Sequence, residues 1–460
     1  MTTFFFSLFL FSGPNLPDND LYYHTAIAKK YLNLNFTQEL PWPELSIQSK
    51  TFTDFHFLFH LLEMPFLLLP FSEITNIKFF ILFCLCFSFF QLIKYLESIN
   101  PKLDYLFVSL FFALGSPLFT GRMLFGRGII LFIGFYFLFL RSFNEKKHFP
   151  TFIISFFSVW CYAGFPLLIL TAVLFAFSAY FQKRELPINV LFLTILGVTC
   201  GLIIHPSFPH QFMGYYVEII LQAVEPMHIE PIAEWMAPDR NLVFGGVWFI
   251  LPWIILKFLL NKEWKPEHFI FLSLTFLYLI FSSASLRLFE MFWLFAFLFL
   301  FVSTEEPKIF KYLSIVILIF ILFPNIYFKM QNQFKHADPT SAIDTTNWIN
   351  QNLKKEEKIF LSWGDFPIFV YKSPEMRYLY GLNPLYAWAF DSNKYALQRS
   401  FFEGSTENFQ YIPNLLGYKY VILNQFYNQP VFHFLKTFAG MELIYENKNY
   451  CIFRVKDSVK

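Results

Sequence analysis

The sequence predicts an α-helical polytopic membrane protein carrying a C-terminal soluble α/β domain. Three observations point there. Of 460 residues, 56% are hydrophobic and 15% charged, against roughly 25% charged in ordinary soluble domains. Runs such as 79–93 and 242–260 carry no charge or a single one and approach the roughly 20 residues that cross hydrocarbon. After about Lys329 the apolar runs stop and a mixed composition takes over.

Taken in order, the apolar segments are 3–12, 78–96, 104–120, 129–141, 150–163, 166–182, 188–204, 242–259, 267–283, 288–302 and 309–327. They predict about eleven transmembrane helices. The first is too short to cross alone unless residues 13–16 extend it. Lys and Arg in short loops orient the set. Lys94 and Lys102, then Arg141, Lys146 and Lys147, then Lys183 and Arg184 fall on one side. Lys257, Lys262 and Lys265, then Lys308 and Lys311 continue that alternation. That side is predicted cytoplasmic, with the N-terminus. Residues 13–77, 205–240 and everything from 330 on are then predicted outside. The implied organisation is a membrane domain over 1–329 with outer loops 13–77 and 205–240, followed by an extracytoplasmic domain over 330–460. A bacterial inner membrane is the expected setting.

Phe55–Phe71 tests this scheme, because counting it as a span would invert every later loop. His56, His60, Glu63 and Pro65 break its apolar run, so it reads as an interfacial helix. In the soluble part, Asp344–Leu353 reads as a helix with an Asp or Thr cap. Lys358–Trp363 and Tyr418–Leu423 read as buried strands. Met441–Tyr445 and Tyr450–Val455 flank the hairpin signal Glu446-Asn447-Lys448-Asn449.

Net charge is +2, and no basic patch interleaved with aromatics appears, which argues against a nucleic-acid partner. The five Cys show neither Cys-x-x-Cys nor zinc-ligand spacing. No phosphate-cradling Gly loop, nucleophile elbow or Walker sequence is present, which disfavours a soluble nucleotide sugar as a donor.

The stretch richest in chemistry is Pro17-Asp18-Asn19-Asp20-Leu21-Tyr22-Tyr23-His24, at the outer mouth of the first apolar segment. Two carboxylates two residues apart can converge on one cation or one acceptor hydroxyl, and either can serve as a general base. They can equally cap a helix that begins near Leu21. Thr53-Asp54 is open to the same two readings, and His56 and His60 read as interfacial anchors more readily than as metal ligands, since no Glu stands between them in the metalloprotease pattern. Arg122 and Arg127 lie in Gly-Arg pairs between two predicted spans; Arg suits bidentate contact with phosphate, or snorkels to headgroups. The loop containing Glu218, Glu225, His228, Glu230, Glu234 and Asp239 is acidic. Arg287, between two later spans, is costly at membrane depth, roughly 2.5–3.5 kcal/mol at a helix centre.

An Asp-rich turn after the first span, then Tyr-Tyr-His and a helix, resembles the first outer loop of GT-C type membrane glycosyltransferases. That superfamily includes protein O-mannosyltransferases, oligosaccharyltransferase catalytic subunits and lipid A aminoarabinose transferases. The resemblance implies Asp20 and Asp18 as catalytic carboxylates, with Asp54 a further acidic residue in the following helices. It implies Arg122 or Arg127 beside the lipid phosphate, His24 orienting the acceptor, and Glu234 in the later outer loop. A divalent metal ion, if used, would sit on Asp18 and Asp20. The implied activity is sugar transfer from a polyprenyl-phosphate-linked donor to an envelope glycan, lipid or protein acceptor. A transporter or flippase is the alternative, because the segments around Gly164 and Pro166 resemble broken transporter helices; a non-catalytic envelope assembly protein is the third reading.

Overall fold

The computed structural model describes residues 1–36, 39–182, 186–221, 247–260, 264–302, 308–336, 338–405 and 409–456. The chain is mostly helical, with one small C-terminal sheet. It divides into two compact units. The first comprises Met1–Pro17, Phe55–His205 and Pro231–His336; the second comprises Asp18–Asp54, Pro206–Glu230 and Ala337–Lys460.

In the first unit a helix falls within each apolar segment expected to span. Among the described residues, three helical runs are long and apolar enough to cross a membrane: Glu73–Ile99, Pro266–Ala284 and a run beginning at Lys311. Tyr105–Leu114 and Pro117–Leu124 make a fourth if taken together, although they bend by 80° at their junction. Length and composition therefore account for three or four spans against about eleven expected. The difference is one of length. Helices such as Gly128–Asn144 and Ile188–Ile203 hold 17 and 16 residues, roughly 24–26 Å at 1.5 Å per residue, short of the roughly 30 Å hydrocarbon core.

The bend has a local cause. Ser116 leaves the helical region and its hydroxyl accepts the Phe119 N–H, with Pro117 at the first helical position, a sequence built to restart a helix. Elsewhere small residues set the spacing. Gly197 and Gly201, four apart on Ile188–Ile203, face the Phe152 and Phe156 carbonyls so closely that a Cβ would sit 2.5 and 2.6 Å from them. Trp160 Nε1 then reaches the Gly201 carbonyl at 3.0 Å. This is the small-xxx-small contact of membrane helices. Phe57–Leu67 is a helix, as expected for the segment after Asp54, with Phe57, Phe59, His60 and Glu63 buried.

In the second unit, β1 (Lys358–Phe360), β2 (Arg377–Tyr378), β3 (Tyr420–Asn424), β4 (Met441–Glu446) and β5 (Tyr450–Val455) form one sheet in the order β2-β1-β3-β5-β4. β1 runs parallel to β2 and β3; β5 is antiparallel to β3 and β4. The expected hairpin is present: Asn447 Oδ1 accepts the N–H groups of Asn449 and Tyr450 at 3.1 and 2.9 Å and so shapes the turn. β2, two residues long, lay below what strand patterning can detect.

Segment Trp42–Leu45 extends the sheet beyond β2. Tyr378 N–H donates to the Trp42 carbonyl at 2.8 Å, and the Glu44 and Leu45 N–H groups donate to the Tyr378 and Leu379 carbonyls at 2.9 and 2.8 Å. The expected cap at Asp344 or Thr345 is corrected. The helix is Thr340–Asn352, and the Asp338 carboxylate receives the Thr340 N–H at 3.0 Å, ahead of the residues that patterning favoured.

Candidate functional site

Asp18, Asp20, His24 and Asp54 all belong to the second unit. Asp20 opens the helix Asp20–Leu32, where a carboxylate offsets the positive end of the helix. The flanking Asn19 makes no side-chain cap bond; instead the Asp20 N–H points to Asp18 Oδ1 at 3.4 Å, a long contact. One face of this helix is aromatic. Tyr23, Ile27 and Tyr31 follow Asp20 at helical spacing and all three are buried.

The capping reading of Asp54 fails. The helix that follows starts at Phe57 without a side-chain cap, and Asp54 Oδ2 accepts the Tyr31 hydroxyl at 2.8 Å. The Asp54 backbone N–H reaches Ser207 Oγ at 3.5 Å, so an early and a later segment meet at this residue. Lys30, also buried, donates to the Glu39 carbonyl at 2.8 Å. Burial pushes its ammonium down to about 8, against the pull of Asp54 and Glu39.

Tyr23 marks where the acidic groups come together. Its phenol is held far above its ordinary range, first by burial and then by the charges of Asp54, Glu218 and Asp20. Glu218, from the acidic loop, accepts the Tyr386 hydroxyl at 2.9 Å, and Tyr386 sits on the short helix Pro384–Phe390. Three carboxylates from distant parts of the chain thus act on one buried phenol. Such a group can accept a proton from a hydroxyl or amide brought among them, and Tyr31 and Tyr386 keep Asp54 and Glu218 oriented. His24 is buried, its ring edge-on to Tyr23 at 5.9 Å.

Arg122 and Arg127 belong to the first unit. Arg122 is buried, and its Nε donates to Glu290, so its charge is already compensated and it does not snorkel. Arg127 is half-buried at the start of Gly128–Asn144, its guanidinium 5.7 Å from the Phe125 ring centre. Arg287 donates to the Tyr162 hydroxyl at 3.4 Å, and Tyr162 stacks on His56 at 5.6 Å. His56 in turn lies against Gly128, leaving no room there for a Cβ. His60 is buried, and His56 is half-buried beside it. Glu234 lies outside the described residues, as do Glu225, His228, Glu230 and Asp239.

Sequence patterning did not single out Lys30, Tyr31, Ser207 or Tyr386, although the helical spacing Asp20–Tyr23–Ile27–Tyr31 was a usable signal. It also missed Asp365. That carboxyl sits at the carboxyl ends of β1 and β3 and accepts Ser362 Oγ at 2.6 Å, the Tyr450 hydroxyl at 2.7 Å and Asn424 Nδ2 at 3.3 Å. Burial raises its pKa while these three donors lower it.

Among the described residues, no group of three or more His, Cys, Asp and Glu side chains is gathered to hold a metal ion. Asp18 and Asp20 do not by themselves complete a metal coordination shell, and no chemical step below is routed through a metal.

No protein-family model matches the chain, and no curated protein matches it. Solved structures do. The oligosaccharyltransferase of Archaeoglobus fulgidus in its apo form superposes with a TM-score of 0.64 at 12% identity, over 99% of this chain and 74% of that one. The same enzyme tethered by a disulfide to an acceptor peptide containing the NVT sequon gives 0.59 at 11%, over 92% and 68%. Its complex with Zn and sulfate gives 0.55 at 12%, over 92% and 67%. At such identity the likeness is one of fold: this chain shares the fold of that oligosaccharyltransferase.

Proposed function

We propose that this protein is an integral membrane glycosyltransferase that moves a sugar from a polyprenyl-phosphate-linked donor to an envelope glycan, lipid or protein acceptor on the outer face of a bacterial inner membrane. In this reading about eleven helical segments form the membrane part, the N-terminus is cytoplasmic, and outer segments 13–77, 205–240 and 330–460 share the opposite side. The observation that supports it is the buried Tyr23 phenol, on which Asp54, Glu218 and Asp20 all act, with Asp18 beside Asp20, in a chain with the fold of an oligosaccharyltransferase.

Asp20, or Asp18 beside it, takes the proton from the acceptor nucleophile. The nucleophile bonds to the anomeric carbon while the bond from that carbon to the phosphate oxygen breaks, and the electron pair leaves on the lipid phosphate. Arg127 neutralises that phosphate; Arg122 is the weaker choice, because Glu290 already holds it. Asp54, held by Tyr31, adds to the negative field that favours proton transfer to Asp20. His24 and Glu234 orient the acceptor.

The test is transfer of radiolabelled sugar from polyprenyl-phosphate donors into right-side-out vesicles, with inside-out vesicles as the control for sidedness. Asp20→Asn and Asp18→Asn are expected to lower transfer by about 10²–10⁴ at unchanged expression, the usual loss on removing a positioned base. Asn still caps a helix, so a mere capping role would leave the rate intact. Full activity in the double variant removes both residues from the mechanism. The helix pair bent by 80° at Gly115–Ser116 favours the transporter as second reading. Donor-lipid movement between leaflets without transfer, across several donors, would select it.

A further inference from the structure

Between Glu185 and Glu218 the chain carries no Asp, Glu, Lys or Arg, a stretch well beyond the roughly 20 residues that cross hydrocarbon. The helix Ile188–Ile203 takes the first part of it, with Phe192, Ile195 and Ile203 exposed along its side. A second helical run, Gln211–Tyr215 continued by Tyr216–Leu221, takes the rest. This run has two faces. Gln211, Gly214 and Val217 are buried, and Glu218 on the same side accepts the Tyr386 hydroxyl at 2.9 Å, so the second unit holds that face. Phe212, Met213, Tyr216, Ile219 and Ile220 form the other, each 47–51% exposed.

An uncharged face of five large side chains on one short run is not what a domain ordinarily leaves in water. The tether narrows what covers it. Ile204 closes the preceding helix, and a fully extended link from there to Gln211 spans no more than roughly 25 Å. A run tied so closely to the end of an apolar helix stays near the membrane surface. Its composition suits the boundary between headgroups and acyl chains, where apolar side chains insert and a Tyr sits at headgroup level.

We infer that the face made by Phe212, Met213, Tyr216, Ile219 and Ile220 docks on the surface of the lipid bilayer and seats the second unit there. Glu218, on the opposite face, then stands about one helix diameter, roughly 10 Å, from the acyl boundary. Glu218 acts with Asp54 and Asp20 on the Tyr23 phenol, so docking sets the height of the acidic group above lipid. That this height serves a lipid-borne substrate rests on the proposed function; the docking requires only that the chain is a membrane protein.

The experiment places a fluorescent amino acid at Met213, Tyr216 or Ile220 of the full-length protein, one copy per phosphatidylcholine nanodisc. Two quenchers are compared: phosphatidylcholine brominated near the ester end of its acyl chains, and aqueous iodide. Insertion of the face by about 5–10 Å brings each probe level with the bromines, and brominated lipid should lower its fluorescence about twofold or more. Iodide should quench these probes much less than one at Lys355, an exposed residue of the second unit. Iodide quenching equal to that at Lys355, without quenching by brominated lipid, would overturn the inference. So would shielding from both quenchers, which would put a protein surface, from a second copy or from this chain, over the face. Quenching by brominated lipid in a protein that transfers no sugar would keep the docking and sink the glycosyltransferase reading instead.

Discussion

The two units spend their aromatic residues in opposite ways. In the first, Phe is packing material: Phe111 alone has Phe249, Trp253, Trp293, Phe297 and Phe301 around it, with ring centres 5.1–6.2 Å away. Buried hydroxyls there turn back on their own helices. Thr151, Ser158, Thr194 and Thr275 each donate to the carbonyl four residues earlier at 2.6–2.8 Å. In the second unit, Tyr hydroxyls hold carboxylates at long range. Tyr31 donates to Asp54, Tyr386 to Glu218, Tyr418 to Glu44 and Tyr450 to Asp365, at 2.7–3.0 Å and across 23 to 374 residues of chain. In the first unit many buried hydroxyls are satisfied within their own helix, as suits hydrocarbon. The second lets polar groups specify which distant segments meet, and that is where acidic chemistry can be assembled.

The buried ion pair Arg122–Glu290 joins two helices of the first unit and is the sharpest place to break the contrast. Arg122→Met or Glu290→Leu alone strands a charge, and each is expected to cost about 3–5 kcal/mol; the double variant should recover most of that loss. Thermal unfolding in detergent measures it. Single variants with an unchanged Tm would mean that packing alone holds this unit.

A smaller effect sharpens the comparison. Tyr31→Phe leaves Asp54 without its phenol donor and should cost about 1.5–3 kcal/mol, the range for bonds to charged groups. Tyr136→Phe in the first unit loses only a neutral bond to Thr171 at 2.9 Å, about 0.5–1.5 kcal/mol. Equal losses in the two variants would erase the distinction between the units.

A third effect is pH-dependent. Lys30 titrates at about 8 in the fold against 10.5 ordinarily. The folded chain therefore bears a full penalty for that charge below about pH 8. As pH rises from 8 toward 10.5, the unfolded chain still holds the proton and the folded one does not, so stability rises. Lys30→Met never carries the penalty, and its Tm advantage over wild type should shrink between pH 7 and 10. Buried tyrosines, whose raised pKa values act the other way above pH 10, are common to both proteins and cancel. A difference in Tm that stays constant with pH would show that Lys30 is not desolvated.

Much of the helical plan was legible in the sequence, because an apolar run long enough to bury must be helical in hydrocarbon. Span lengths were less so: the bend at Gly115–Ser116 depends on a cap that hydropathy does not register. Asp18, Asp20 and Asp54 could be picked out as residues, and Met441–Glu446 with Tyr450–Val455 as a hairpin, since both signals are local. The Tyr31–Asp54 bond and the role of Glu218 beside Tyr386 could not. Each joins residues that no periodicity relates, through turns whose geometry only the packed chain sets. Asp54 looked as good a cap as a site residue until its actual donor was seen.

The parallel pairing of Pro43 with Tyr378 has a consequence for biosynthesis. The two residues stand more than 330 positions apart, and chains grow at roughly 5–20 residues per second. The segment bearing Asp18 and Asp20 is therefore made roughly 20–70 s before the strand it must join. Trp42 faces the same delay, since its indole donates to the Pro374 carbonyl at 3.0 Å. Through that interval the N-terminal segment has no sheet edge to occupy, which exposes it to proteases and chaperones.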